Sequence, residues 1–368
     1  MAIIDNPVMQ TLDASTFARR ALEGHASMCA RFERSDGSLR RDGRIQLPWV
    51  LAHVWPFARA FVATLDVAGM PAPRRVGFDA NPVIARRLRA LERYWDERGP
   101  AYASDPPSWF TRLTGGGDIY HDDNAWAGLA LVQLARQRPG HSRLDRAARL
   151  ADFARAGWDT DPVAPNPGGV FWVQQGRGAG ARNHDRNTVS TAPNGELILH
   201  LQELGEEGPG VEPDPAAMAR WVADALGNGH DLFRDKIRGD GTIDAALWSY
   251  NQGSMLGLLA LLSDRDGGDS PSRLRRAEDT ARAALDHYEN RRYEGEPTEF
   301  VAIFMRNLLQ LSARTADESL RGRIAEAVRE RADATWPIAR TATLLQHSAA
   351  VSMQALAAWD PDDYRLLA

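Results

Sequence analysis

Two aspartates stand side by side at positions 122 and 123, in the stretch GGGDIYHDDNAWAGLALVQLARQ, where a glycine cluster gives way to an apolar, helix-spaced segment. Adjacent carboxylates repel, so the pair carries a cost unless it is well solvated or put to use. Cleavage of a glycosidic bond needs two carboxyl groups: one donates a proton to the leaving oxygen, the other attacks the anomeric carbon or activates water. Consecutive Cα atoms lie about 3.8 Å apart, and helical side chains diverge by roughly 100°. Adjacent carboxylates can therefore reach the separation of about 5–5.5 Å that retaining enzymes use. A helix N-terminus offers free N–H groups and partial positive charge, which favour an ionised aspartate. Mutual repulsion then raises the pKa of the less stabilised group, leaving one nucleophile and one proton donor. The same dipeptide also reads as an ordinary N-cap with a favourable acid after it. The pair alone does not decide between the two.

The elements that must hold these groups are helices. Apolar residues recur at helical spacing almost throughout. The spacing predicts a first helix of about 20 residues around Phe17–Met28, a second from Pro48 to about Ala68 that includes Trp49, and a third after Asn81-Pro82. A fourth runs from the Asp pair to about Gln137 and a fifth from about Ser142 to Ala156. Seven more are expected near 189–204, 215–232, 250–263, 271–288, 298–312, 318–335 and 343–359. Alternating β-branched runs are scarce, so no sheet beyond short hairpins is expected. Twelve helices without a sheet leave an open solenoid or a closed ring of six hairpins. No fixed repeat period is present, which disfavours the solenoid. Short links such as Pro139-Gly140 alternate with long Gly/Pro-rich ones at 98–121 and 158–186. That alternation suits an all-α (α/α)6 barrel with its long loops gathered around a cleft, built as one domain over 1–368.

Composition narrows the chemistry. The net charge of -5 comes with acids and bases intermixed, and no basic stripe argues for nucleic acid. Cys29 is the only cysteine, so neither an internal disulfide nor a thiolate metal cluster can form. No apolar run approaches membrane-spanning length, and the first residues lack the basic and apolar segments of a signal peptide. The expectation is a cytoplasmic protein, or a secreted one if the N-terminus is trimmed, with no membrane contact and no obligate protein partner.

The long loops carry Trp158, Asp159, Gly168, Gly169, Phe171, Trp172, Gln174, Asn187, Asp240, Asp244, Trp248, Tyr250, Asn251 and Gln252. Aromatic rings offer flat apolar faces to the C–H side of a sugar, and amides and carboxylates hydrogen-bond its hydroxyls. The same tryptophans would also serve simply to plug the ring.

The segments YHDDNAWAGLALVQLA, GWDTDPVAPNPGGVFW, WSYNQGSMLGLLALL and EFVAIFMRNLLQL, in this order, resemble the landmarks of glycoside hydrolase family 76, the endo-α-1,6-mannanases. The resemblance runs from about Trp49 to the C-terminus. It implies an (α/α)6 barrel that hydrolyses α-1,6-mannosidic linkages of mannan or mannooligosaccharides with retention, using no metal or organic cofactor. By position, it makes Asp122 the nucleophile and Asp123 the acid/base. It implies cleft contacts from Asn124, Trp126, Gly168, Gly169, Phe171, Trp172, Asn187, Tyr250, Asn251 and Gln252. The family pattern favours a second Trp directly after Trp126, where this chain has Ala127, and the loop RNHDRNTVSTAPNGEL differs from the family's Asn-rich version.

Other readings compete. A ring with these loops could bind a glycan without cleaving it. The pairs His121-Asp122, His184-Asp185 and His230-Asp231 echo those of metal-dependent phosphohydrolases, although no helix shows His-x-x-x-His or Glu-x-x-His spacing. His53 and His200 fall on apolar helical faces and read as core histidines, while an inner-face His347 would reach the cleft. Glu296 and Glu299 would suit another all-helical sugar enzyme, an epimerase or an inverting hydrolase, but read first as capping, solvated acids, and Arg306 reads as the partner of a buried acid.

Overall fold

The computed structural model describes residues 13–41, 50–106, 117–176, 184–206, 212–265, 270–291 and 293–368. Pro48, Trp49, Gly115 and Gly116 lie outside them. Six helices form an inner ring: α2 (Val54–Gly69), α4 (His121–Gln137), α6 (Thr188–Glu203), α8 (Ser249–Ser263), α10 (Thr298–Ser312) and α12 (Leu344–Leu356). Each packs against the next, and α12 returns to α2 and closes the ring. The outer layer is α1 (Ala14–Phe32), α3 (Asn81–Leu91), α5 (Leu144–Ala156), α7 (Pro215–Leu226), α9 (Ser270–Glu289) and α11 (Glu318–Ala334). This is the expected (α/α)6 barrel.

Sequence explains which helix goes where. Inner helices touch neighbours on all sides, so apolar and small residues surround them; every residue of α6 from Thr188 to Leu201 is buried. Outer helices bury one stripe, as α9 does with Ala277, Thr280, Ala281, Ala284, Leu285 and Tyr288. Crowding in the inner ring calls for glycine: a Cβ on Gly253 of α8 would fall 2.8 Å from Cα of Phe304 on α10. Capping fixes several starts, including Asp214 with Pro215 for α7 and the Thr343–Gln346 capping box for α12.

The ring encloses a buried ion pair. Arg306 of α10 binds both carboxylate oxygens of Asp66 on α2. Gln133 of α4 donates to Asp66 at 3.0 Å and accepts from Arg306 at 2.7 Å. Removing one partner would strand a buried charge, so the cluster locks three inner helices together.

Two helix boundaries differ from the periodic reading. Helix α2 starts at Val54, because Leu51 is drawn into an extended bridge with Arg40 and the Val54 amide donates to the Ser104 carbonyl. Helix α7 stops at Leu226, because Gly227-Asn228-Gly229 turns the chain and Asn228 Oδ1 accepts from the amides of His230 and Leu232.

Short strands cover one end of the ring. β1 (Trp95–Asp96) pairs antiparallel with β2 (Ala101–Tyr102). β3 (Arg186–Asn187), β4 (Lys236–Ile237) and β5 (Ile243–Asp244) form an antiparallel ribbon in that order, with Asn187 opposite Lys236 and Lys236 opposite Asp244. Single bridges Tyr120–Val173, Trp158–Val170 and Phe171–Arg186 extend it back to the start of α4. Among the described residues no helix is long and apolar enough to cross a membrane.

Candidate active site

Contacts between first turns gather the starts of five inner helices at one mouth of the ring. Asp122 of α4 meets Trp172, which meets Lys236. The Thr188 amide of α6 donates to the carbonyl of Asp235 at 2.9 Å. Tyr250 and Asn251 of α8 donate to the Asp235 carboxylate at 3.3 and 3.2 Å. Phe300 of α10 stacks on Tyr250 with ring centres 4.0 Å apart, and lies 6.1 Å from the ring of Trp55 on α2.

The Asp pair sits inside the first turn, two residues deeper than a capping reading places it. Tyr120 is the N-cap and makes no side-chain cap bond. The preceding segment is pinned by strand-like bonds: the His121 amide donates to the Trp172 carbonyl at 3.0 Å and the Gln174 amide to the Ile119 carbonyl at 2.9 Å. This pairing lays Trp172 over the helix start, where its indole N–H donates to Asp122 Oδ2 at 3.2 Å. Asp122 Oδ1 accepts from the amide of Asp123 at 3.0 Å.

The two carboxyls are therefore unequal. Both are half-buried side chains at the start of an inner helix. Burial pushes the Asp122 carboxyl up to about 7, against the pull of the Asp123 amide and the Trp172 indole, with the nearby Asp235 charge adding to the rise. Asp123 is raised well above the ordinary carboxylate range, by burial and then by the charge of Asp122. No hydrogen bond from a described residue reaches the Asp123 carboxyl to offset this. Two coupled sites titrate as a pair, and its last proton belongs on the member without donors, Asp123.

Among the other expected contact residues, Trp172 and Tyr250 stand beside the pair or its neighbour Asp235, and Phe171 is half-buried in the bridge to Arg186. Asn251 is fully buried and holds Asp235. Asn187 is the buried N-cap of α6, with its Oδ1 unpartnered among the described residues. The rest are committed elsewhere. Asn124 clamps β2 to α4, accepting from the Tyr102 amide at 2.7 Å and donating to the Tyr102 carbonyl at 2.9 Å. Gln252 bonds both backbone groups of Phe233, at 2.8 and 2.9 Å. Trp126 is only 5 % exposed and belongs to the core, as does the fully buried Ala127. Gly168 and Gly169 lie buried with φ of +104° and +82°, where a Cβ would strike the Trp221 ring. They shape the loop rather than meet the carboxylates.

The histidines are structural in their contacts. His200 is buried, and its pKa is pushed down to about 3 by burial and the adjacent Arg136. His347 turns away from the mouth, its Nε2 3.0 Å from the carbonyl of Gly24 on α1, contrary to the cleft position that an inner face would give it. His53 is not a core residue either: it is the N-cap of α2, with Nδ1 2.8 Å from Asp105. Among the described residues no group of three or more His, Cys, Asp or Glu is arranged to hold a metal ion. Glu296 caps α8, accepting from the Ser249 amide at 2.9 Å and its hydroxyl at 2.6 Å.

Sequence reasoning missed Asp235 and Lys236. Asp235 is buried, faces Tyr250 and Asn251, and is raised mainly by burial. Lys236, the only lysine, lies 5.0 Å from the Trp172 ring centre and 3.4 Å from Asp185. The available signal was the turn residues on either side of RDKI, which mark a short strand crossing the loop cluster.

The described arrangement matches known proteins along most of its length. The model for glycosyl hydrolase family 76 matches residues 38–363. An inactive variant of the α-1,6-mannanase GH76A of Salegentibacter sp. HEL1_6, solved in complex with α-1,6-mannotriose, superposes with a TM-score of 0.71 at 17 % identity, covering 94 % of this chain and 99 % of that one. A family 76 glycoside hydrolase (mannosidase) of Bacteroides thetaiotaomicron superposes with a TM-score of 0.75 at 17 % identity, over 93 % of this chain and 98 % of that one. The meiotically up-regulated gene 191 protein of Schizosaccharomyces pombe is 25 % identical over 219 residues, 54 % of this chain and 46 % of that protein. This chain thus matches less than half the length of that curated relative.

Proposed function

The chain belongs to glycosyl hydrolase family 76, and from that premise we propose that it is a retaining glycosidase acting on α-1,6-mannosidic linkages through Asp122 and Asp123. The observation that carries the reading is the unequal hydrogen bonding of the pair. Asp122 accepts from an indole and an amide, whereas Asp123 accepts from neither. The ionised Asp122 attacks the anomeric carbon while Asp123 gives its proton to the leaving glycosidic oxygen. A mannosyl ester on Asp122 results. Asp123, now ionised, takes a proton from water, whose oxygen attacks the anomeric carbon and releases Asp122. Trp172 orients the nucleophile and offers its half-buried ring to the sugar. The relatives solved with α-1,6-mannooligosaccharides support a mannan-type substrate.

The test is product analysis on α-1,6-mannooligosaccharides with wild type, Asp122→Asn and Asp123→Asn. Each variant is expected to lose cleavage while retaining oligosaccharide affinity. Wild-type rates in both variants would overturn the assignment. Binding without turnover by the wild type would favour a glycan-binding role, and activity abolished by chelators would favour a metal-dependent hydrolase.

A further inference from the structure

Among the buried polar atoms of α2 and α10 with no hydrogen-bond partner among the described residues are Trp55 Nε1, Arg59 Nη2 and Glu299 Oε2. Trp55 and Arg59 are four residues apart on α2 and share a face. Glu299 lies in the first turn of α10. Arg59 is 4 % exposed. Its guanidinium lies within electrostatic reach of Arg306, Asp66 and Glu299, all on α2 and α10.

Structural arginines in this chain look different. Arg186 is 1 % exposed and donates to Asp159 and to the carbonyls of Pro165, Asn166 and Gly168. Arg87 is fully buried and donates to the Ala60 carbonyl, Thr64 and Glu33. Arg59 makes no such bond to any described residue, and Asp66 is already taken by Arg306 and Gln133. A buried charged donor left unused is expensive, which points to a ligand that completes it.

The surroundings indicate which ligand. Trp55, Tyr250 and Phe300 are half-buried aromatics, and the Tyr250–Phe300 stack, nearly parallel at 1°, runs from Asp235 towards Trp55. Such a shelf suits the C–H face of a sugar ring. The guanidinium fork and the indole N–H donate to ring hydroxyls, and the Glu299 carboxyl accepts from one. Glu299 beside Arg59 offsets the positive charge and disfavours an anion.

We propose that Trp55, Arg59 and Glu299 form a second sugar subsite, reached along the Tyr250–Phe300 shelf, that binds the hydroxyls of a glycosyl unit next to the one at Asp122 and Asp123. The proposal rests on the reading of that pair as the cleavage site. The test uses the Asp122→Asn/Asp123→Asn chain, titrated calorimetrically with α-1,6-mannotriose and α-1,6-mannotetraose. Adding Arg59→Met or Glu299→Gln is expected to weaken tetraose binding about tenfold, the loss of one charge-assisted hydrogen bond. Thermal unfolding of each variant supplies the readout for a merely structural role. Unchanged affinity in both overturns the subsite, whatever happens to the melting temperature, and Glu299→Gln decides if Arg59→Met does not fold. Absence of mannooligosaccharide binding by the parent variant overturns the substrate assignment together with the subsite.

Discussion

Trp172→Phe isolates the hydrogen bond that separates the two carboxyls. The substitution keeps an aromatic ring at the mouth and removes the indole N–H that reaches Asp122 Oδ2 at 3.2 Å. A hydrogen bond to a charged group contributes about 1.5–3 kcal/mol. At about 1.4 kcal/mol per tenfold change, its loss moves an ionisation by about one to two in pH. The 3.2 Å distance is long for N–H···O, and the Asp123 amide continues to serve Oδ1, so the lower figure applies. Losing a donor disfavours the ionised carboxylate, so the direction is upward. The acid limb of kcat/KM, expected near 7 in the wild type from the Asp122 carboxyl, should move to near 8, a shift of about one from the hydrogen-bond magnitude. The assay is initial-rate hydrolysis of an α-1,6-mannooligosaccharide across a pH series. Activity on the acid side should drop about tenfold, and the loss should shrink as pH rises. A uniform loss with an unmoved acid limb would refute the reasoning, and would leave Trp172 as a sugar platform only.

Asp235→Asn should shift the same limb the opposite way, because the Asp235 charge raises the Asp122 carboxyl; an acid limb that stays put or rises would contradict that. Glu196 is buried in α6 and raised well above the carboxylate range by burial, against a pull from Arg314 and Arg306. A raised folded pKa gives stability that is present below the unfolded value and lost as pH rises towards the folded one. Glu196→Gln, which stays neutral, should therefore gain stability over the wild type at pH 8 and little at pH 4, as read by urea unfolding. Equal differences at both pH values would rule this out. Asp66→Asn strands the Arg306 guanidinium in the ring and should cost about 3–5 kcal/mol in the same measurement; a cost below about 1 kcal/mol would show that Gln133 and the introduced side-chain amide satisfy the arginine on their own.

Much of this protein was legible in the chain. Periodicity gave the helices, because an inner helix must be apolar all round and an outer one must carry a stripe, and both patterns are local. The Asp122-Asp123 pair was legible as a candidate site, since adjacent acids at a helix start are a local cost that invites a use. What tertiary structure alone decided is which polar residues are free. Asn124 and Gln252 look like sugar contacts in sequence, yet the fold spends them on the backbones of Tyr102 and Phe233. Glu299 looks like a solvated cap, yet it is half-buried and within electrostatic reach of Arg59 on a helix remote in sequence. Asp235 carries no motif at all and becomes part of the mouth because β4 crosses between the starts of α6 and α8. A hydrogen bond between distant segments leaves no spacing in the sequence, so its partners appear only when the ring closes.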